Sequence, residues 1–222
     1  MKKSLKTSRT DSAKFCRRTA LAALATVISI PTLHAASGTW NVDAAGNWGT
    51  AGNWTPAAIP GTAAGDIISL TNNITAARTV TIDATSRTAG DLNIGDSTTA
   101  FFGFTLASSA GTVVLNLDGT GAADATVDFT GGAANTISAP LTLVDNAIFR
   151  SNIAFVQTLS GIISGAAKTV TFNNDTDGVV NAAGALNGQF LVTGANTYTG
   201  GTTISDVRVN ITTNNNALAP DP

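Results

Sequence analysis

Leu115-Asn116-Leu117-Asp118-Gly119-Thr120-Gly121, followed by Val127-Asp128-Phe129-Thr130-Gly131-Gly132, puts an apolar residue at alternate positions and ends each run in a Gly-rich turn. Period two is the mark of a strand with one face buried. Gly and Asp at the run ends supply the turn conformations. The same unit recurs outward in both directions. Val80/Ile82, Leu92/Ile94 and Phe104/Leu106 precede it and Leu141/Leu143 follows, so successive pairs begin 12, 12, 11, 12 and 14 residues apart. Further pairs stand at Val170/Phe172, Phe190/Val192 and Val207/Val209/Ile211, with another turn cluster at Asn173-Asn174-Asp175. Gly, Asn and Thr make up 71 of the 187 residues after Ala35, and the chain has no Glu at all. Turn formers and β-branched residues thus replace the helix formers. The pattern predicts an all-β protein.

Two architectures fit strands at this spacing. A β-sandwich or barrel is one. A parallel β-solenoid, with two or three short strands per coil, is the other. The solenoid is preferred because the apolar positions carry many small and medium side chains, as a narrow stacked core requires. Asn and Thr also recur beside the turns, where stacked side chains can bond along the axis. The expected organisation is a signal peptide over 1–35 and a Trp-rich cap segment over 36–60. A solenoid over 61–213 and a disordered tail over 214–222 complete it.

Residues 1–18 are basic, Thr19 to Leu33 are almost wholly apolar, and Leu33-His34-Ala35-Ala36-Ser37 is a small-residue stretch. This is the order of a secretory signal peptide, with cleavage expected after Ala35 or Ala36. The apolar run contains Pro31 and falls short of the ~20 residues that span a bilayer. Arg17-Arg18 leaves twin-arginine export open beside the general route. The chain is therefore expected to be secreted, extracellular or on the cell surface, with no membrane span after the signal peptide.

Composition removes much chemistry. Met1, Cys16 and His34 are the only residues of their kinds, and all lie in the first 35 positions. Beyond them there is no histidine base, thiol nucleophile or imidazole or thiolate metal site, and no disulfide. The same stretch holds 5 basic and 13 acidic residues, all Asp, a formal net of −8. A nucleic-acid partner, which asks for basic patches, is not expected.

From Leu159 the chain reads Leu159-Ser160-Gly161-Ile162-Ile163-Ser164-Gly165. Later comes Phe190-Leu191-Val192-Thr193-Gly194-Ala195-Asn196-Thr197-Tyr198-Thr199-Gly200-Gly201-Thr202-Thr203-Ile204. These segments, at about 159–204, resemble the autotransporter-associated β-strand repeat, most specifically over Asn196–Thr203. The resemblance implies a right-handed parallel β-helix exported to the surface or medium within a passenger region. Ser205-Asp206-Val207-Arg208 departs from the small-Gly-Thr-Leu turn usual at that point. The repeat itself has a structural reading. Gly200-Gly201 suits a tight turn, Asn196 can bond turn backbone, and Tyr198 can pack across neighbouring coils.

The candidate ligand site is the cluster Trp40, Trp48 and Trp54, two of them in the local repeat Ala45-Gly46-Asn47-Trp48 and Ala51-Gly52-Asn53-Trp54. Exposed indoles beside Asn and Asp43 would stack on pyranose rings. The alternative is a hydrophobic cap over the first coil. Asp175-Thr176-Asp177-Gly178 has the oxygen-rich look of a calcium loop, but no Glu closes it and six to eight oxygens are needed. It is read as a solvated turn. The same residues resemble one acidic motif of the polygalacturonases, whose other motifs are missing, so two-carboxylate glycoside hydrolysis is not expected. A lyase would have only Arg78, Arg87, Arg150, Lys168 and Arg208 as bases. No catalytic residue, metal or cofactor is expected. The leading expectation is a non-enzymatic scaffold or adhesion protein. A carbohydrate-binding module is the alternative, with extracellular polysaccharide or cell-surface components as partners.

Overall fold

The structure, a computed structural model, describes residues 36–98, 102–131, 133–174, 188–212 and 218. The expected signal peptide, Asp175–Gly178 and most of the expected tail lie outside these residues. Leu218, within that tail, packs partly buried against the core.

Among the described residues, short strands follow one another in threes up to Ser164 and in twos after it. The first circuit holds β1 (Gly38–Trp40), β2 (Gly46–Asn47) and β3 (Trp54–Thr55), with a single 3-10 turn at Ala51–Asn53. The second has β4 (Ile67–Leu70), β5 (Arg78–Ile82) and β6 (Arg87–Ala89). The third has β7 (Asp91–Ile94), β8 (Phe104–Ser108) and β9 (Leu115–Leu117). Next come β10 (Ala125–Phe129), β11 (Thr136–Ile137) and β12 (Leu141–Leu143), then β13 (Ala147–Ser151), β14 (Val156–Leu159) and β15 (Ile163–Ser164). β16 (Val170–Asn173), β17 (Gln189–Val192), β18 (Thr202–Ser205) and β19 (Arg208–Ile211) close the described residues.

Apart from β1 with β3, pairing joins strands of successive circuits rather than strands of one. The first sheet has the order β18-β16-β13-β10-β7-β4-β1-β3, the second β19-β17-β14-β11-β8-β5-β2 and the third β15-β12-β9-β6. Every pairing is parallel except β1 with β3. The protein is therefore all-β and built on parallel sheets. Sandwich sheets are antiparallel, which these are not.

Register explains the alternation. Ile68, Leu92, Val127, Phe149 and Phe172 stand opposite one another along the first sheet, all buried. Val80, Leu106, Ile137, Leu159 and Val192 do the same in the second. Leu115, Leu141 and Ile163 form the column of the third. The columns share one interior: Phe190 of the second sheet lies 5.1 Å from Phe172 and 5.8 Å from Phe129 of the first. A parallel sheet aligns like residues every 4.7–4.9 Å, so each apolar side chain is covered by the next circuit's equivalent.

Circuit length varies while register does not. Along the first sheet 22 residues separate Val127 from Phe149, but 35 separate Leu92 from Val127. The surplus is carried in the turns. Where circuits touch most closely a side chain cannot fit. A Cβ on Gly200 would lie 2.4 Å from the Lys168 backbone, while Gly201 takes a φ of 95°. The two adjacent glycines thus serve different needs.

The buried amides of Asn135, Gln157 and Asn196 are bonded along the stack, as burial demands. Asn135 and Gln157 are both fully buried. Asn135 Oδ1 accepts from the Phe104 N–H at 2.9 Å, and Gln157 Oε1 accepts from Asn135 N and Nδ2, each at 3.0 Å. Asn196 repeats the device: its Oδ1 accepts from the Ile163 N–H at 2.8 Å. Tyr198 is buried, its hydroxyl 2.6 Å from Thr202 Oγ1.

Candidate functional site

The three indoles meet at the first circuit. Trp40 lies on β1 and Trp54 on β3, opposite each other in the antiparallel pair, and Trp48 sits in the turn after β2. Ring centroids of Trp40 and Trp54 are 5.2 Å apart, nearly perpendicular, and those of Trp48 and Trp54 are 4.9 Å apart. Edge-to-face contacts of this kind favour aromatic clusters. The local repeat serves the packing. Gly46 stands where a Cβ would press within 3.2 Å of the Trp40 ring, and Asn53 Nδ2 donates to the Asn47 carbonyl at 3.2 Å.

Exposure decides what this cluster can do. Trp40, Trp48 and Trp54 are 0, 0 and 1 % exposed. Two of the indole N–H groups are engaged internally, Trp48 Nε1 to the Pro60 carbonyl at 2.9 Å and Trp54 Nε1 to the Trp48 carbonyl at 2.8 Å. A pyranose stacks on a solvent-facing indole, and these faces are covered by one another and by the adjoining circuit. The structure thus brings the three together as packing. No sugar platform stands on the surface at these positions.

Asp43, expected beside such a platform, acts instead as a fastener, as do Asp83 and Asp66. Asp43 accepts from Arg78 Nε at 2.8 Å, from the Thr75 hydroxyl at 2.6 Å and from the Thr75 N–H at 3.1 Å. The Arg78 bond, helped by Thr75, pulls the Asp43 carboxyl down to about 2. Asp83 Oδ1 accepts from the Gly49 N–H at 2.8 Å, and the Trp48 N–H donates to the Thr81 carbonyl at 2.8 Å. Asp66 Oδ2 collects the N–H groups of Gly61, Thr62 and Ala63 at 3.0, 2.7 and 3.2 Å. These bonds lock the first circuit and its exit loop to the second.

The bases considered for a lyase are dispersed. Arg78 is held by Asp43, Arg150 lies 3.6 Å from Asp128, and Lys168 lies 3.5 Å from Asp145. Burial lowers the Arg87 guanidinium from its ordinary value, and Arg208 is exposed at β19. Asp118 is raised, first by burial and then by Asp145 beside it, with Lys168 opposing. A small cleft of about 100 Å³ is lined by Gly65, Gly90, Asp91, Gly119, Thr120 and Asp124, among others. Its carboxylates already have partners, Asp91 the Thr126 hydroxyl and Asp124 the Asn146 amide. Among the described residues no three His, Cys, Asp or Glu side chains come together to hold a metal. Nor is any helix among them long and apolar enough to cross a membrane. No protein-family model matches the chain, and no curated protein or solved structure matches it either.

Proposed function

We propose that the chain is an exported, non-enzymatic β-solenoid that works outside the cytoplasm as a scaffold or adhesion module. It would be built as the autotransporter-associated repeat that Leu159–Ile204 resembles is built. The observation that carries this reading is the register: from β4 to β14 each strand pairs in parallel with the strand three further on, through three sheets in turn. Right-twisted strands joined by crossovers to parallel neighbours close right-handed, which supports a right-handed coil. Export is supported by the basic, apolar, small-residue order of the first 35 positions. A non-enzymatic role is supported by the lack of His, Cys and Glu after Ala35 and by the pairing of basic groups within the fold.

The test is expression of the chain with a C-terminal epitope in a bacterial host, followed by fractionation and N-terminal sequencing. The expected product begins at Ala36 or Ser37, is found outside the cytoplasm and is retained on cells or extracellular matrix without turnover. Uncleaved cytoplasmic protein would overturn the export reading. Polysaccharide cleavage that is lost on replacing one Asp or Arg, with folding intact, would overturn the non-enzymatic one.

A further inference from the structure

The outward face of the second sheet differs in kind from that of the first. Thr79, Thr105, Thr136 and Thr158 stand in register on β5, β8, β11 and β14. Two residues on, Thr81 pairs with Ala107. Ser138, Ser160 and Thr193 extend that second column, their N–H groups donating to Leu106, Ile137 and Leu159 at 2.8, 3.0 and 3.0 Å. No charged residue interrupts either column. The outward face of the first sheet, by contrast, carries Asp91, Asp128 and Arg150.

The hydroxyls also differ in what they do. Several others are committed inside the protein: Thr126 to Asp91, Thr75 to Asp43, Thr142 to Ser164 and, in the second column of this face, Ser138 to the Leu106 carbonyl at 3.3 Å. Among the described residues, the side chains of Thr79, Thr81, Thr105, Thr136 and Thr158 take no hydrogen-bond partner. They form a neutral lattice of free hydroxyls and methyls on a parallel sheet, four in the first column and Thr81 in the second.

The lattice has definite dimensions. Neighbouring strands lie about 4.8 Å apart, and same-face residues of one strand about 6.7 Å. Water oxygens bonded tetrahedrally at about 2.8 Å have second neighbours about 4.5 Å apart, and their stacked layers repeat at about 7.4 Å. The protein lattice comes within about 0.3 Å of the first repeat and about 0.7 Å of the second. Its methyls can seat in the hollows of a water lattice while its hydroxyls replace lattice oxygens. A charged group would instead hold a hydration shell of its own. We infer that this face, centred on Thr105 and Thr136, binds the surface of ice. The inference rests on the register of the second sheet and goes beyond the scaffold reading, which stands or falls separately.

The experiment measures the freezing–melting gap and the inhibition of ice recrystallisation by the chain. The chain is compared with Thr136→Lys on this face and with Thr171→Lys on the outward face of the first sheet. Circular dichroism and melting temperature show whether each variant folds, and Thr105→Tyr is the second face variant should Thr136→Lys fail to do so. The expected result is activity in the parent chain, its loss in the face variant and its retention in Thr171→Lys. Absence of activity in the parent, or equal loss in Thr171→Lys, would overturn the inference. Retention on crystalline polysaccharide without ice activity, lost in the same face variant, would overturn it in favour of a glycan lattice.

Discussion

Replacing Trp54 by Ala removes the indole that both other tryptophans touch. Trp54 is 1 % exposed, and a buried aromatic of this size withdraws about 150–250 Å² from water. At about 25 cal/mol per Å² that area corresponds to about 4–6 kcal/mol, close to the 3–5 kcal/mol found for Phe/Trp→Ala changes in cores. The substitution also strips the Trp48 carbonyl of its donor, a further loss of about 1 kcal/mol that entering water partly offsets. The expected destabilisation is about 4 kcal/mol, a large fraction of the 5–15 kcal/mol typical of a whole domain. Urea unfolding followed by the two remaining tryptophans reads it, and hydrogen exchange locates it. Exchange should quicken first at β1, which pairs with β3, and then at β4, which pairs with β1. Parent emission should be blue and insensitive to acrylamide. A loss below about 1 kcal/mol, with red and readily quenched parent emission, would refute the burial reasoning and reopen the sugar platform.

Four further outcomes follow from the same geometry. Phe149→Ala, which opens a fully buried site stacked on Phe172 at 5.5 Å, should cost about 3–5 kcal/mol in chemical denaturation. Asn196→Ala leaves the Ile163 N–H without its acceptor and should cost about 1–3 kcal/mol, whereas exposed Asn210→Ala should be near neutral. Asp43 is depressed to about 2 by Arg78 and Thr75, so its contribution is present above the unfolded carboxyl value near 4 and is lost as pH falls toward 2. Asp43→Asn should flatten that stretch of the stability–pH curve. Asp118 is raised by burial and by Asp145, so folding is penalised as pH climbs above the unfolded value. Asp118→Asn should stabilise the protein at pH 7 and change little at pH 3, by melting temperature.

Six apolar pairs at near-equal spacing read as consecutive strands, and each coincides with one: β5, β7, β8, β9, β10 and β12. They are not consecutive. Between them the chain inserts β6 and β11, which bury only Ala89 and Ile137, and a single apolar residue produces no visible alternation. The even spacing was therefore to some extent a coincidence of long and short connections. Strand type was legible because burial on one face forces period two; pairing was not, because partners lie 22 to 35 residues away along the first sheet with no constant repeat. The threonine columns were hidden for the same reason. The tryptophan cluster was legible as a unit from its local repeat, but composition cannot tell a covered indole from an open one. That depended on β3 folding back antiparallel on β1.

Unequal circuits joined by a constant register amount to a mechanical signature. Pulled from its C-terminal side while the first circuit is held, the proposed solenoid should peel away layer by layer, because each strand from β4 to β14 pairs with the strand three further on. Along the first sheet those layers contain between 22 and 35 residues, which release about 70–130 Å of extended chain each. The order of long and short steps is written in the turns, so a force–extension trace would read the connections in sequence from the free end to the tryptophan clasp.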